Sequence, residues 1–180
     1  GIATRAAAFA KLVAGTGLAI LDTRKTTPGL RQAEKYAVQA GGCRNHRSGL
    51  YDMILIKENH IRAAGGITAA VTRARAAADG LAVEVETTGE AEVREALAAG
   101  ADRIMLDNMD DETIRKMLAI IGGRAGTEAS GNMDEARIAR LAGSGLDFIS
   151  VGALTHSVTV LDLSLLFDVP SITTSQDAPA

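Results

Sequence analysis

The sequence predicts an α/β fold, an open or incomplete parallel barrel of the TIM-like kind with about six to seven β-α units. Three observations carry this. Short apolar runs alternate with Ala-rich amphipathic segments, and a β-α-β-α order implies parallel strands joined by right-handed crossovers. The runs read as continuously apolar, as expected of strands buried on both faces. The chain has 180 residues, whereas a full eight-unit barrel needs about 250. A doubly wound sheet is the competing architecture, but no GxGxxG opens a helix and no Walker A sequence occurs.

The elements follow in order. Residues 18–22 read as a strand and 29–40 as a helix; 53–57 is the second strand, with a helix over about 67–78. Strand 81–86 precedes helix 89–99, and strand 103–106 precedes helix 110–121. Strand 126–129 and helix 134–142 come next, and 148–151 is the last strand. Acids cluster at 90–95 and 110–112 near helix starts, where the dipole favours them, and read as solvated faces. Tyr36, Met53 and Met105 read as core or helix-face residues. Residues 1–169 are expected to form one domain, and the polar segment 170–180, with Pro170 and Pro179, a flexible tail.

Composition narrows the function. With 47% hydrophobic and 23% charged residues the chain is ordinary globular material. One cysteine excludes a disulfide framework or a CxxC site. The longest uncharged run, 148–161, is interrupted by Ser150, Thr155, His156 and Ser157, short of the roughly 18 apolar residues of a membrane span. A cytoplasmic protein is expected. Net charge is −3, yet residues 22–62 alone carry a net +4. A locally basic segment inside an acidic protein suggests a site for a small polyanion. Only five aromatics and no Trp argue against a base-stacking nucleic-acid platform, and no nucleic-acid partner is expected.

Nearly every strand ends, at its C-terminal edge, in polar residues, and in parallel α/β folds that edge is where ligands bind. Arg24, Lys25, His46, Arg47 and Lys57 are cations expected at a common mouth, beside Thr23. Arg suits carboxylates and phosphates through its bidentate fork, and Lys acts as a point charge. Glu86 and Asp107 are the acids of the same rim, suited to sugar hydroxyls or a hydrated Mg²⁺ held on a phosphate. Ser130, Gly131 and Asn132, then Val151, Gly152 and Ala153, open two loops with small residues whose amides can approach a phosphate. Together these groups suggest a phosphorylated sugar and a second anion. His60 reads as loop packing, and His156 beside Ser157 lacks the nucleophile elbow of a Ser-His hydrolase.

The motifs LDTRKTTPGLR (21–31), GGCRNHRSGLYD (41–52), ILIKENH (54–60), VEVET (83–87), DRIMLDNM (102–109), EASGN (128–132) and FISVGALTHS (148–157) occur in this order. In this the sequence resembles the C-terminal barrel domain of the quinolinate phosphoribosyltransferases, the carboxylating nicotinate-nucleotide pyrophosphorylases. The resemblance implies transfer of phosphoribose from 5-phosphoribosyl 1-pyrophosphate to quinolinate, giving nicotinate mononucleotide, pyrophosphate and CO₂, in NAD biosynthesis. It implies Mg²⁺ held through pyrophosphate rather than directly by protein, and a homodimer or higher homo-oligomer. Lys25, Glu86 and Asp107 would be catalytic. Arg24, Lys25, His46, Arg47 and Lys57 would surround quinolinate and the phosphates, and the two small-residue loops would cradle the 5′-phosphate. A paralogue with another acceptor, or a non-catalytic barrel, are the alternatives. Two departures are visible. Cys43 stands where the family carries a third glycine, and the family's N-terminal domain, which supplies an arginine to a partner's site, is absent from this sequence.

Overall fold

The structure, a computed structural model, describes residues 1–168; the expected tail at 170–180 lies outside the described residues. The elements are α1 (Ile2–Leu12), β1 (Ala19–Leu21), α2 (Arg31–Ala40), β2 (Ile54–Ile56), α3 (Glu58–Ala64), α4 (Ile67–Ala77) and β3 (Val83–Thr87). They continue with α5 (Glu90–Ala98), β4 (Arg103–Asp107), α6 (Asp111–Ile121), β5 (Gly126–Ser130), α7 (Glu135–Leu141), β6 (Phe148–Ser150) and α8 (Ala153–His156). Helices α1, α3 and α8 are additional to the expected pattern. The strand after Ile56 turns directly into α3 because the Lys57 amide donates to His60 Nδ1 at 3.0 Å, so His60 is a helix cap rather than loop packing. Gly65 (φ 90°) and Gly66 (φ 146°) then take backbone conformations closed to other residues, and the chain re-enters a helix as α4.

All six strands lie in one parallel sheet of order β1-β6-β5-β4-β3-β2. From β2 to β6 each strand pairs with the next in sequence, and β6 returns to pair with β1, which is the order of a barrel opened at one seam, between β1 and β2. Segment 41–52 lies along that seam. Arg44 bridges Leu21 in parallel, its amide donating to the Ile20 carbonyl at 2.8 Å.

The two faces of this sheet differ in chemistry, which corrects the reading of continuously apolar strands. The face toward the helices carries Ile20, Ile56, Val83, Val85, Ile104, Leu106, Ala129 and Ile149, all in the buried core with Phe9, Val38, Ile114 and Leu141 from the helices. On the other face Glu84 sits opposite Arg103, Met105 opposite both Glu86 and Glu128, and Asp107 opposite Ser130. Parallel partners share a face, so this interior is lined with ionisable groups. Buried charges are tolerated there because they are set against one another. Tyr36 is exposed on the outer side of α2, so of the three residues assigned to core or helix face it belongs to the face. Beyond α8 the chain runs to residue 168 without helix or strand, with Leu163, Leu165, Leu166 and Phe167 exposed. No helix among the described residues is long and apolar enough to cross a membrane.

Candidate active site

Two adjoining cavities open at the C-terminal ends of the strands. The smaller, about 180 Å³, is lined by Arg24, His46 and Arg47 with the apolar Leu55 and Met105. The larger, about 650 Å³, is lined by Glu86, Asp107, Gly131, Asn132, Val151, Gly152 and Ala153. Thr23, Lys25, Lys57, Ser130 and Ser150 line both and make one continuous mouth. Every site residue expected from the sequence therefore falls in one or both cavities. Arg5 on α1, Met133, Asp134 and His156 also line the larger one and were not expected there.

In the smaller cavity cations are held close without enough partners. Arg24 Nε is buried and has no hydrogen-bond partner among the described residues, a donor that an anion would satisfy. Burial, and the Arg24 guanidinium nearby, hold Arg47 below the usual arginine range. The loop carrying Arg24 is kept in place from α2: Arg31 donates to Thr26 Oγ1 at 3.0 Å and to the Arg24 carbonyl at 3.3 Å. Lys25 is tied to α8, the short helix after the last strand, its carbonyl accepting from Thr155 Oγ1 at 2.7 Å.

In the larger cavity Glu86 is paired with Lys57, and Asp107 accepts from Asn108 Nδ2 at 2.7 Å. Gly131 (φ 93°) and Asn132 (φ 48°) both lie in the left-handed region, and a side chain at Gly131 would strike Asn108. That loop is anchored by a residue without any signal in the sequence. Arg137 on α7 donates to the Gly131 carbonyl at 2.8 Å and to the Met109 carbonyl, and pairs with Asp111 at 2.9 Å. At Gly152 an added side chain would meet His156 Nε2 at 3.1 Å, and His156 Nδ1 is 2.7 Å from Ser157 Oγ.

Beneath the smaller cavity lies a layer of buried charge that the sequence left unassigned. His46 is almost fully enclosed, with Nε2 3.1 Å from Glu84 Oε2 and 3.4 Å from Glu128 Oε2. Glu128 also accepts from Arg103 at 3.2 Å, and that guanidinium lies over the Phe148 ring, 4.0 Å from its centroid. Burial pushes Glu84 above the usual carboxylate range. The same burial would raise Glu128, but His46, Ser150 and Arg103 together hold it below. The backbone of His46 is fixed as well: its amide donates to Asp22 Oδ1 at 2.8 Å and its carbonyl accepts from Lys35 at 3.0 Å. Lys35 is in turn bound to Asp22 at 2.5 Å, both buried.

The glycine replacement is accommodated. Gly42 takes the left-handed conformation (φ 88°), so Cys43 needs an ordinary one; its buried thiol donates to the Ala6 carbonyl at 3.2 Å, and burial pushes it up to about 11. It is a core residue and no nucleophile.

An open parallel α/β barrel whose mouth joins a cationic cavity to one edged by carboxylates and glycine-rich loops defines a class of barrel domain suited to anionic ligands. The particular family follows from comparison: residues 2–166 match the model of the quinolinate phosphoribosyl transferase C-terminal domain, and the chain belongs to that family. It is 48% identical over 166 residues to a probable carboxylating nicotinate-nucleotide pyrophosphorylase of Bacillus subtilis, covering 92% of this chain and 57% of that protein. It is 46% identical to the chloroplastic carboxylating nicotinate-nucleotide pyrophosphorylase of Arabidopsis thaliana, covering 93% of this chain and 53% of that protein. The solved structure of nicotinate-nucleotide pyrophosphorylase from Francisella tularensis superimposes with a TM-score of 0.87 at 49% identity, covering 91% of this chain and 59% of that one. The chain thus spans between half and three-fifths of the length of these relatives.

Proposed function

We propose that residues 1–169 form the barrel domain of a phosphoribosyltransferase that joins quinolinate to 5-phosphoribosyl 1-pyrophosphate, releasing pyrophosphate and CO₂ in NAD biosynthesis. The observation that carries this reading is the continuous mouth: a small cationic cavity opening into a larger one with acids and close-approach loops, Lys25 and Lys57 lining both. Arg24 and Arg47 take the two carboxylates of the diacid in the smaller cavity, with Leu55 and Met105 against the apolar ring. The 5′-phosphate sits against the Ser130–Gly131–Asn132 and Val151–Gly152–Ala153 loops. This brings the pyridine nitrogen to the ribose C1′, where an N–C bond forms as the C1′–pyrophosphate bond breaks. Ionised Glu86 and Asp107 stabilise the positive charge developing on the ribose, and Lys25 and Lys57 the negative charge on the departing oxygens. Decarboxylation leaves an electron pair at the ring carbon, which takes up a proton.

Glu86 and Asp107 are hard oxygen donors at the larger cavity, and they suit Mg²⁺ held through pyrophosphate. That ion would neutralise the leaving group. A homodimer in the cytoplasm, with the family's N-terminal domain closing the mouth from a second subunit, completes the reading. The test is purified full-length enzyme supplied with quinolinate, phosphoribosyl pyrophosphate and Mg²⁺. Nicotinate mononucleotide and CO₂ in equal amounts are expected. Equal or better turnover with the monoacid nicotinate would overturn the choice of acceptor.

A further inference from the structure

The unassigned feature of this barrel is the buried set His46, Glu84 and Glu128. It joins a loop on the open seam to β3 and β5, two strands separated by β4. Their ligand-type atoms all lie within 4.8 Å of one another, the spacing of a metal site. The imidazole argues for another role. Nδ1 accepts the Arg47 amide proton at 2.7 Å, so it presents its lone pair to the backbone. A histidine that binds a metal through one nitrogen normally donates a hydrogen from the other, and here the other accepts. The ring's proton therefore belongs on Nε2, between the two carboxylates. Nε2 lies 3.1 Å from Glu84 Oε2 and 3.4 Å from Glu128 Oε2, within reach of both, which fits a proton shared between them.

We propose that Glu84 and Glu128 are positioning residues for the anion pocket: they clamp His46 at Nε2, and the clamped ring holds the Arg47 amide so that its guanidinium stays at the pocket wall. Each link is local. Glu128 is fixed by Arg103, which rests on Phe148. His46 is fixed through its amide by Asp22 and through its carbonyl by Lys35. The ring then spans the distance from the interior to the backbone of Arg47, whose guanidinium stands beside Arg24 in the smaller cavity. Two guanidiniums facing each other repel, and a rigid backbone anchor is what keeps them aimed at one acceptor. With both ring nitrogens engaged, His46 acts through Arg47 and contributes its surface, not a free nitrogen, to the cavity.

The kinetic half of the test rests on the phosphoribosyltransferase reading; the spectroscopic half does not. Glu84→Gln and Glu128→Gln keep the side-chain volume, and melting curves and circular dichroism establish that each variant folds. In full-length protein labelled with ¹⁵N-histidine, with His46 assigned by its loss in His46→Asn, the expected wild-type signature is a protonated, exchange-protected Nε2 and an unprotonated Nδ1. In both Gln variants that protection, and the hydrogen-exchange protection of the Arg47 amide, should fall by about tenfold or more. KM for quinolinate should rise by about tenfold, with KM for phosphoribosyl pyrophosphate and kcat within about twofold. An unprotonated Nε2 together with stoichiometric Zn²⁺ or Mn²⁺ uptake abolished by either Gln variant would overturn the clamp in favour of a metal site. Unchanged Arg47 amide protection in both variants would overturn it outright. If wild-type enzyme makes no nicotinate mononucleotide, the functional reading fails while the exchange data still decide the clamp.

Discussion

The Lys57 ammonium at the end of β2 is ion-paired with the Glu86 carboxylate on the neighbouring β3, so a cation that lines both cavities is neutralised by an acid of the larger one. Lys57 is about half exposed, and a pair of that kind adds little to stability. Its consequence is for ligand binding: an anion arriving at Lys57 competes with Glu86, and in the proposed reaction Glu86 is then released to face the ribose.

Glu86→Gln should therefore act on turnover more than on acceptor binding. It removes an ionised group that stabilises developing positive charge, while freeing Lys57. Losing one such interaction lowers kcat by roughly 10²-fold or more, with KM for quinolinate unchanged or lower. Asp107→Asn should behave similarly on kcat. Steady-state kinetics on full-length enzyme check this; intact turnover with altered quinolinate KM would mean that the roles are reversed.

Arg24→Ala and Arg47→Ala should each weaken quinolinate binding. A charge-assisted hydrogen bond contributes about 1.5–3 kcal/mol, or roughly ten- to a hundredfold in affinity. The buried Arg24 Nε has no partner among the described residues, so its loss should cost little stability. Calorimetric titration with quinolinate and a melting curve for each variant measure the two effects separately.

Arg137 supports the Gly131 loop without lining either cavity. Arg137→Ala should raise KM for phosphoribosyl pyrophosphate, by roughly tenfold for a loop no longer held in place, and leave quinolinate binding near wild type. Equal effects on both substrates would argue for general loosening of the barrel.

The partner of Arg137 gives a pH dependence with a definite sign. Arg137 and Arg140 hold the Asp111 carboxyl below the usual carboxylate range. A depressed folded-state value means that the contribution is present above the unfolded pKa and is lost as pH falls through the folded one. Acid should therefore destabilise wild type more steeply than Asp111→Asn, which has no carboxylate to protonate. Urea unfolding at a series of acidic pH values checks this; parallel curves for the two proteins would refute it.

Cys43, with its thiol pushed up to about 11 inside the core, should resist thiol reagents in the folded protein and react on unfolding. Comparing full-length wild type with Cys43→Ser in a colorimetric thiol assay isolates this residue. Rapid labelling of the native thiol would contradict its burial.

How far the site could be read in advance follows from where each residue stands. Arg24, Lys25, Lys57, Glu86 and Asp107 lie at strand ends or just beyond, and in a parallel fold the C-terminal edge of every strand reaches the same side. Their convergence was therefore legible from chain order alone. Arg137 lies on a helix, with nothing in the residues around it to mark the carbonyls it serves. Helix α3 escaped for a related reason: it begins at Glu58, directly after the strand signal ends, and its start depends on a histidine cap.

By itself, the sequence determined the order and type of the strands and the helices between them, because apolar periodicity and turn residues act locally. It also determined the cationic and acidic rim, because chain order places strand ends together. Only the tertiary structure decided which face of each strand is charged, since VEVET and RIMLD are ambiguous until register sets Glu84 against Arg103 and Met105 against Glu128. It alone brought His46 from the seam to glutamates on β3 and β5, residues 38 and 82 positions further along the chain. Burial and charge pairing depend on distances in space, and those distances exist only once the sheet has curved and closed to its single open seam.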